Sequence, residues 1–528
     1  MSQARSNHAQ PDYNHTLHPQ LDPQLDPQLD PRLDPSDWPA FRDQGHRMLD
    51  DMFDYMETIR ERPVWQPMPA AVRARFRDRL PLAPTELSAV HEEFLQNVLP
   101  YSTGNVHPGF MGWVHGGGNL AGMLAEMLAA GLNANLGGRD HAPIEVERQI
   151  VQWMRELFAF PATASGLFVT GTSMANLIAI VVARDAARDA ARDTTRDAAQ
   201  GLDVRRAGVA ANAKKLTGYA SMAAHGSLRK AFDIAGLGSD ALRLVPVDAQ
   251  HRINLAALRR MIQADRNAGC APFLLVGSAG TVDTGAIDDL DGLAVVAGEE
   301  RMWLHVDGAF GALGILAPEI APRLAGIEAA DSLAFDFHKW GQVPYDAGFV
   351  LVRDGELHRK AFASPAAYLE REASGLAGGS PWPCDFGPDL SRGFRALKTW
   401  FTLKVYGLYA LGQTISRTCE LARYLEQRIA ASNELELLAP VSLNIVCFRY
   451  KSPNADRVNA RIVVELQESG MAAPSTTRIN GELAIRAAIT NHRTRRADID
   501  VLVDSTLAIG RAIAPPIEDP ELEAAYLD

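Results

Sequence analysis

The chain contains 528 residues, enough for more than one hydrophobic core, so we expect two or three domains. Apolar residues make up 47% of it and charged residues 22%, which is the composition of an ordinary soluble globular protein. The formal net charge of −12 argues against a nucleic-acid partner, because binding to phosphates requires a basic face.

Four scattered cysteines form no CxxC pair, which predicts neither a metal site nor a disulfide framework. Such a pattern is typical of a reducing compartment. The N-terminal residues lack the charged and apolar regions of a signal peptide, and no uninterrupted apolar run reaches the roughly 18 residues of a membrane span. We therefore expect a cytoplasmic protein without membrane contact.

In chain order, residues 1–36 come first and contain the repeat Q/R-L-D-P, with a proline at every fourth position. Proline at that spacing forbids a helix, and too few residues are apolar to build a core. These residues are predicted to form a disordered tail. A second repeat, ARDAARDAARDTTRDAAQ, begins at Ala183 and is rich in helix formers. We expect it to extend a surface helix or to form an exposed insertion.

Residues 37–125 show an amphipathic helical pattern and are predicted to form an N-terminal helical segment whose apolar face must be covered. Helical and strand-like runs alternate over residues 126–400, which predicts a large α/β domain with a mainly parallel sheet. Residues 401–528 are predicted to form a small α+β domain with strands at SLNIVCFRY and ELAIRAAIT. The predicted strands of the large domain, all expected to be parallel, are GLFVTG, KLTGYAS, LRLVPV, FLLVGSAG, MWLHVDGAF, SLAFDF and AGFVLVRD.

Polar residues follow several of these strands, at the edge of the sheet where open α/β proteins bind ligands. Thr172 and Ser173 lie where a strand ends and a helical pattern begins, so the free N–H groups of a helix N-terminus could bind a phosphate there. Both are also ordinary N-cap residues. His225 begins another helical run and Thr281 follows the strand FLLV. Taken alone, each of these two has a plain structural interpretation.

Asp307 ends an apolar run and is followed by Gly308 and Ala309, which are small enough to let a flat group approach. A carboxylate there is costly to bury unless a cation pairs with it. Lys339 follows the run SLAFDF and is either a snorkelling surface residue or an amine held inside for chemistry. A cofactor with a phosphate, a protonated ring nitrogen and an aldehyde would need an anion site, a carboxylate and an amine. All three are predicted at strand ends of one domain.

These motifs resemble those of the pyridoxal-phosphate-dependent group II amino-acid decarboxylases, which include aromatic-amino-acid, glutamate and diaminobutyrate decarboxylases. The resemblance implies a PLP-dependent transferase-like fold (fold type I), pyridoxal 5′-phosphate as cofactor, and a homodimer in which the N-terminal helical segment of residues 37–125 takes part in the subunit contact. It also implies that the enzyme converts an L-amino acid into the corresponding amine and CO₂. The segments that carry it are HVDGAFG, DFHKW, SMAAHGSLRKA, TGTSMANL, HPGFMGW and FRALKTWFTLKVYG.

Roles for individual residues follow from the same resemblance. Lys339 would form the internal Schiff base with the cofactor aldehyde. Asp307 would pair with the pyridinium nitrogen, which keeps the ring protonated as an electron sink. His225 would stack on one face of the ring and could take part in proton transfer, while Ala309 would pack on the other face.

The resemblance places the cofactor phosphate against Thr172 and Ser173, with Asp336 and His338 lining the same end of the site. Thr281 would lie in a loop near the ring oxygen of the cofactor. No metal ion is expected.

The resemblance defines the substrate pocket less closely than it defines the cofactor site. Trp113 and His115 lie where the side-chain pocket of the family begins, and the segment GGRDHAP brings Arg139 to a nearby position. The polar residues of that segment favour a polar pocket, in which Arg139 could pair with a substrate carboxylate. They could equally contact the partner subunit or the surface.

The loop before FRALK departs from the family pattern. Family members carry a tyrosine there that is thought to protonate the substrate carbon, whereas residues 372–393 contain none. Tyr368 precedes the loop and is interpreted as a structural residue, so His225 or a residue of the partner subunit could supply the proton. Relatives without the tyrosine can release an aldehyde by oxidative decarboxylation. An aldehyde synthase or a C–C lyase is therefore an alternative to the decarboxylase, and a non-catalytic pyridoxal-phosphate-binding protein is less favoured.

Overall fold

The structure, a computed structural model, describes residues 33–81, 83–193, 208–209, 214–363 and 371–514. Most of the predicted N-terminal tail, the later part of the second repeat and Tyr368 therefore lie outside the described residues. By its contacts the chain divides into two compact units. The domain limits predicted from the sequence stay predictions.

The first unit contains residues 1–57 and 81–93. Its described part consists of helix α1 (Trp38–Glu57) and the beginning of α3 (Leu87–Asn97). Two buried side chains join these helices, since the Gln44 amide nitrogen lies 3.1 Å from His91 Nδ1. The other ring nitrogen of His91 lies 3.5 Å from the Asp51 carboxylate, so polar contacts link the two helices.

The second unit contains residues 58–80 and 94–528. Among the described residues, no helix combines the length and the apolar composition that crossing a bilayer requires. The helices of this unit are α2 (Ala70–Arg75), α4 (Leu120–Leu132), α5 (Ala142–Leu157), α6 (Thr172–Asp193), α7 (Ser227–Ile234), α8 (Leu255–Asn267), α9 (Leu290–Glu300), α10 (Gly355–Phe362), α11 (Arg395–Ala430), α12 (Ala455–Glu468) and α13 (Arg496–Ile513).

Two of these helices bear on sequence expectations. Helix α6 continues through the start of the second repeat to Asp193, which confirms the helical extension for residues 183–193. Helix α11 bends at Gly407, whose φ of 72° is not helical. Glycine adopts that backbone conformation at low cost, so the bend is located at this residue.

The main sheet of the second unit has seven strands in the order β2-β8-β7-β6-β5-β3-β4. The apolar runs predicted as strands form it, which confirms the α/β fold class. The strands are β2 (Ser165–Val169), β3 (Leu216–Ser221), β4 (Leu242–Val245), β5 (Ala271–Ser278), β6 (Trp303–Asp307), β7 (Ser332–Asp336) and β8 (Gly348–Val352).

One strand direction was predicted wrongly. Strand β8, in the run AGFVLVRD, pairs antiparallel with both β7 and β2 rather than parallel. Its connection from β7 covers only residues 337–347 and contains no α-helix, whereas a parallel return needs a crossover of about a dozen residues or more. Strands β7 and β8 are buried along their whole length, so their continuous apolar sequences do not reveal their direction.

A second sheet of five strands has the order β1-β11-β12-β10-β9. The predicted strands SLNIVCFRY and ELAIRAAIT are confirmed as β10 and β12, which pair antiparallel. The other three strands were not predicted, because two of them are very short and APSTTRI is polar and half exposed. The strands are β1 (Phe110–Met111), β9 (Leu435–Leu437), β10 (Ile445–Tyr450), β11 (Ala473–Ile479) and β12 (Glu482–Ala488).

Candidate active site

The candidate site lies at the carboxyl end of the parallel strands. Strands β6 and β7 are neighbours, and they end at Asp307 and Asp336. Strand β2 ends at Val169 and leads within two residues into α6, whose first residue is Thr172. Side chains from separate parts of the sequence therefore meet at one edge of the sheet, as expected for an open α/β fold.

Lys339 is an internal amine and not a snorkelling surface residue. Its Nζ lies 2.9 Å from Oδ2 of Asp336, and the Lys339 side chain is only 21% exposed. The other oxygen of Asp336 accepts the backbone N–H of Thr172 at 2.7 Å. One buried carboxylate therefore binds both the lysine and the first turn of α6, and it holds the amine next to the helix N-terminus.

His338, the neighbour of the lysine, is neutral. The Ala347 N–H donates to its Nδ1 at 3.0 Å, so the ring proton lies on Nε2, which faces Asp336 at 3.6 Å. Burial lowers the pKa of His338 to about 4, and the nearby charge of Lys339 acts in the same direction. The histidine thus lines the end of the site without adding a positive charge at neutral pH.

The hydroxyl of Thr172 is buried and makes no hydrogen bond within the described residues. An unsatisfied buried hydroxyl is costly, and this one lies in the first turn of a helix, where the helix dipole favours an anion. Ser173 is exposed at the same turn. These features fit a phosphate group.

Asp307 is buried and is held by neutral donors. The Asn176 amide donates to Oδ2 at 2.9 Å, and the Ala309 N–H donates to Oδ1 at 3.2 Å. A buried carboxylate held only by neutral donors is well suited to a cation, such as a protonated ring nitrogen. The Ala309 carbonyl also accepts the N–H of Asp336 at 2.9 Å, which links this carboxylate to the lysine end of the site.

His225 is exposed at the start of α7, and its ring orientation is set by Ser227. The Ser227 hydroxyl lies 2.8 Å from His225 Nδ1, and the Ser227 N–H donates to the same atom at 3.2 Å. The Asn176 amide reaches the Ser227 hydroxyl at 3.3 Å. One asparagine therefore connects the histidine with Asp307.

Thr281 is buried, but its hydroxyl bonds within its own loop, to Thr284 at 3.1 Å and from the Ala286 N–H at 3.0 Å. These bonds stabilise the loop after β5. Its predicted place beside the cofactor remains a prediction.

The segment with Trp113 and His115 reaches the lysine. A side chain at Gly116 would come within 2.4 Å of the Lys339 carbonyl oxygen, so only glycine lets the two backbones approach this closely. Burial lowers the pKa of His115, and the charge of Lys339 lowers it further. Tyr345, which the sequence did not single out, lies with its ring centroid 5.7 Å from that of His115.

Arg139 lies against the loop before α11. Its guanidinium lies 4.6 Å from the centre of the Trp382 ring, and Arg371 lies on the same ring at 4.2 Å. Arg371 also makes two hydrogen bonds of 2.7 Å to Asp385. Backbone hydrogen bonds, including one from the Asp140 N–H to the loop at 3.0 Å, tie residues 136–140 to this loop.

Three further residues were missed by the sequence reading: Asn176, His305 and Tyr345. Asn176 lies four residues after Thr172 and therefore on the same face of α6. That spacing was the available signal, since a single asparagine in a helix carries no chemical motif. His305 is two residues before Asp307 and thus points to the same side of β6.

Comparisons with known proteins agree with this chemistry. A sequence model described as "Pyridoxal-dependent decarboxylase conserved domain" matches residues 69–451. An aromatic-L-amino-acid decarboxylase of Bacillus atrophaeus is 32% identical over 464 residues, which cover 86% of this chain and 92% of the relative. A phenylacetaldehyde synthase of Petunia hybrida is 29% identical and covers 87% of this chain and 92% of its own length.

Among solved structures, Oryza sativa TDC with PLP and tryptamine superposes with a TM-score of 0.82. It covers 92% of this chain and all of its own chain at 23% identity, and so it supports the fold.

Proposed function

Because this chain belongs to the pyridoxal-dependent decarboxylase family, we propose that Lys339, Asp307 and Thr172 hold pyridoxal 5′-phosphate at the centre of its reaction. The protein is a carboxy-lyase that uses this cofactor to decarboxylate an amino acid. The observation that supports the assignment is the shared carboxylate of Asp336, which contacts both the lysine amine and the N–H of Thr172 in the first turn of α6.

Each residue has a distinct task in this proposal. Bound pyridoxal phosphate supplies an electron-withdrawing ring that stabilises the charge left on the substrate when CO₂ departs. Lys339 supplies the amine for the cofactor aldehyde, and the Thr172 turn binds the phosphate. The Asp307 carboxylate would accept a hydrogen bond from the protonated ring nitrogen, and its negative charge would keep the proton on that nitrogen. His225, exposed and oriented by Ser227, flanks the ring and is available to move a proton.

The test uses Lys339→Ala with Lys404→Ala, an exposed lysine on α11, as the matched control. Purified wild-type protein and the control variant should show the visible absorption of lysine-bound pyridoxal phosphate and should release CO₂ from amino acids. Lys339→Ala should lose both signals. An unchanged absorption band in Lys339→Ala would overturn the assignment of the lysine.

We propose an aromatic L-amino acid as substrate. Trp113 and His115 stack with ring centroids 5.9 Å apart, and Phe110 stacks on His115 at 5.7 Å. Tyr345 completes an aromatic cluster next to Lys339. The relative from Bacillus atrophaeus is named for aromatic substrates. Faster CO₂ release from phenylalanine, tyrosine or tryptophan than from glutamate or diaminobutyrate would support this choice, and the reverse order would favour the polar pocket around Arg139.

An aldehyde product is the second candidate, because residues 372–393 contain no tyrosine and one relative is named phenylacetaldehyde synthase. The oxidative reaction consumes O₂ and releases ammonia and hydrogen peroxide together with CO₂. Measuring O₂, ammonia, hydrogen peroxide and CO₂ in one assay distinguishes simple from oxidative decarboxylation. Amine without O₂ uptake identifies the simple decarboxylase, and peroxide in proportion to CO₂ identifies the aldehyde synthase.

We propose that the enzyme is a homodimer. Helix α4 exposes Met127, Leu128 and Leu132, which form an apolar strip that a second copy would cover. Light scattering should give twice the chain mass for the wild type. Leu128→Glu should shift the mass towards the monomer, whereas exposed Arg301→Glu, at the end of α9, should not.

We further propose a cytoplasmic location, supported by the cysteines. All four are free thiols. Burial raises the pKa of Cys419 and of Cys447 to about 12, which keeps both protonated and unreactive. Cell fractionation followed by detection with an antibody would test the location, and recovery from a secreted fraction would contradict it.

A further inference from the structure

A chain of buried hydrogen bonds runs from the beginning of the central strands to Asp307. The indole N–H of Trp303 lies 2.8 Å from the Ser332 hydroxyl, which lies 2.9 Å from Nδ1 of His305. The opposite ring nitrogen of His305 lies 2.9 Å from the amide oxygen of Asn176. The amide nitrogen of Asn176 then reaches Oδ2 of Asp307 at 2.9 Å.

The groups at the two ends of this series determine which partner donates in each of its hydrogen bonds. The carboxylate of Asp307 only accepts, so Asn176 must present its NH₂ group to it and its oxygen to His305. His305 must therefore donate from Nε2 and accept at Nδ1 from the Ser332 hydroxyl. At the far end, the Trp303 indole only donates. Burial lowers the pKa of His305 to about 4, so the ring is neutral and carries just the one proton that this pattern requires.

Asn176 also has a second branch. Its amide donates to the Ser227 hydroxyl at 3.3 Å, and that hydroxyl can in turn donate a hydrogen bond to Nδ1 of His225, 2.8 Å away. His225 in its neutral form then carries its proton on Nε2. Asn176, His305 and Ser332 are fully buried, so water does not compete for these bonds.

We propose that Asn176 is a positioning residue that directs the Asp307 carboxylate towards the ring nitrogen of the cofactor, and that His305 fixes the orientation of the Asn176 amide. The inference rests on the proposed placement of pyridoxal phosphate with its ring nitrogen at Asp307. Each hydrogen bond in the chain strengthens the next, because the series ends on a charge in a dry interior.

The experiment compares two ligands binding to the protein stripped of cofactor: pyridoxal phosphate, and its analogue with a C–H group in place of the ring nitrogen. In Asn176→Ala, pyridoxal phosphate should bind about ten- to a hundredfold more weakly, the effect of one hydrogen bond to a buried charge. The analogue, which cannot use Asp307, should change less than about threefold. Equal losses for both ligands, or no loss for either, would overturn the proposal.

A conservative pair tests the second residue. His305→Gln keeps an N–H group for Asn176 and should retain the preference for pyridoxal phosphate over the analogue, whereas His305→Leu should reduce that preference. This pair also serves if Asn176→Ala does not fold. Identical behaviour of the two His305 variants would contradict the role of His305.

The control is Tyr219→Phe. The Tyr219 hydroxyl, in β3 of the same sheet, donates to Asp265 at 2.7 Å. Neither residue belongs to the hydrogen-bond series that ends at Asp307. Tyr219→Phe should lower stability while both ligands bind as in the wild type. A wild-type protein that bound neither ligand would overturn the proposed function itself, whereas normal binding by the wild type and all variants would overturn only this inference.

Discussion

The carboxylate of Asp336 links two parts of the candidate site, the lysine and the first turn of α6. Its two oxygens bind different partners, the Lys339 amine at 2.9 Å and the Thr172 N–H at 2.7 Å. A lysine held by a charge-assisted bond is already in place before the cofactor arrives, which reduces the entropy lost on binding. The Thr172 hydroxyl differs, because it has no partner among the described residues and pays a desolvation cost in the free protein.

Thr172→Val should therefore affect the free and the loaded protein in opposite ways. Removing an unsatisfied buried hydroxyl should leave the cofactor-free protein as stable as the wild type or more stable by up to about 1 kcal/mol. Cofactor affinity should fall about tenfold, because one donor to the phosphate is lost. Urea unfolding and cofactor titration measure the two effects.

Thr172→Ser keeps the hydroxyl and serves as the control. Its affinity for pyridoxal phosphate should stay close to that of the wild type. A Thr172→Val protein that is markedly destabilised without the cofactor would show that the hydroxyl has a structural partner instead.

At the scale of elements, the loop of residues 372–393 is held by cation–π contacts to Trp382 and by an ion pair at Asp385. Arg139 and Arg371 lie on the Trp382 ring, and Arg371 forms a bidentate pair with Asp385. Bidentate arginine–carboxylate pairs are among the stronger polar contacts in proteins, and stacked guanidinium groups add to them. These contacts hold the loop against residues 136–140 and against its own Asp385.

Arg371→Leu should loosen this loop. We expect faster cleavage by a protease within residues 372–393, because a segment that loses its bidentate ion pair unfolds locally more often. The expected loss of global stability is small, roughly 1–2 kcal/mol, since the side chain is partly exposed. Limited proteolysis followed by mass spectrometry locates the cut. Arg359→Leu, which removes an exposed pair with Glu356, is the control and should leave the cleavage rate unchanged.

The sequence predicts most strands and the principal site residues, but not every strand direction or every residue that supports the site. Lys339 and Asp307 were identified because strand ends in an α/β sheet converge, and both lie where predicted. The direction of β8 was wrong, because a strand buried on both faces has the same apolar run whichever way it points. Asn176 was missed, because its importance depends on partners more than fifty residues away in the chain.

At the scale of the whole molecule, burial sets the response to pH. Burial is the main cause that lowers the pKa of His305 and His338 to about 4 and of His358 and His492 to about 3. In the unfolded chain these rings bind protons near pH 6.5, so between pH 6.5 and 4 the unfolded state binds more protons than the folded state. Burial raises the pKa of Asp288 to about 6 and also raises the pKa of Asp331, so these two groups have the opposite effect but are outnumbered by the four histidines.

The free energy of unfolding should therefore fall as the pH is lowered from 6.5 to 4, by up to about 1.4 kcal/mol per pH unit for each histidine. Urea unfolding at a series of pH values measures the slope. His358→Leu removes one titrating ring and should make the slope shallower by the share of one histidine. A stability that is flat or rises over this range would contradict the prediction.

The strand order of the main sheet also has a consequence for synthesis on the ribosome. Strand β2 is the first strand of this sheet to emerge, yet its partner is β8, the last. The turn that carries Thr172 follows β2, so the phosphate end of the site can be fixed to the sheet only after residue 352 has left the exit tunnel. A nascent chain halted before that point has an unpaired β2 strand and an unfinished cofactor site, and unpaired strands of this kind promote aggregation. Binding of the cofactor thus indicates that all seven strands of the sheet have been translated and that β2 has paired with β8.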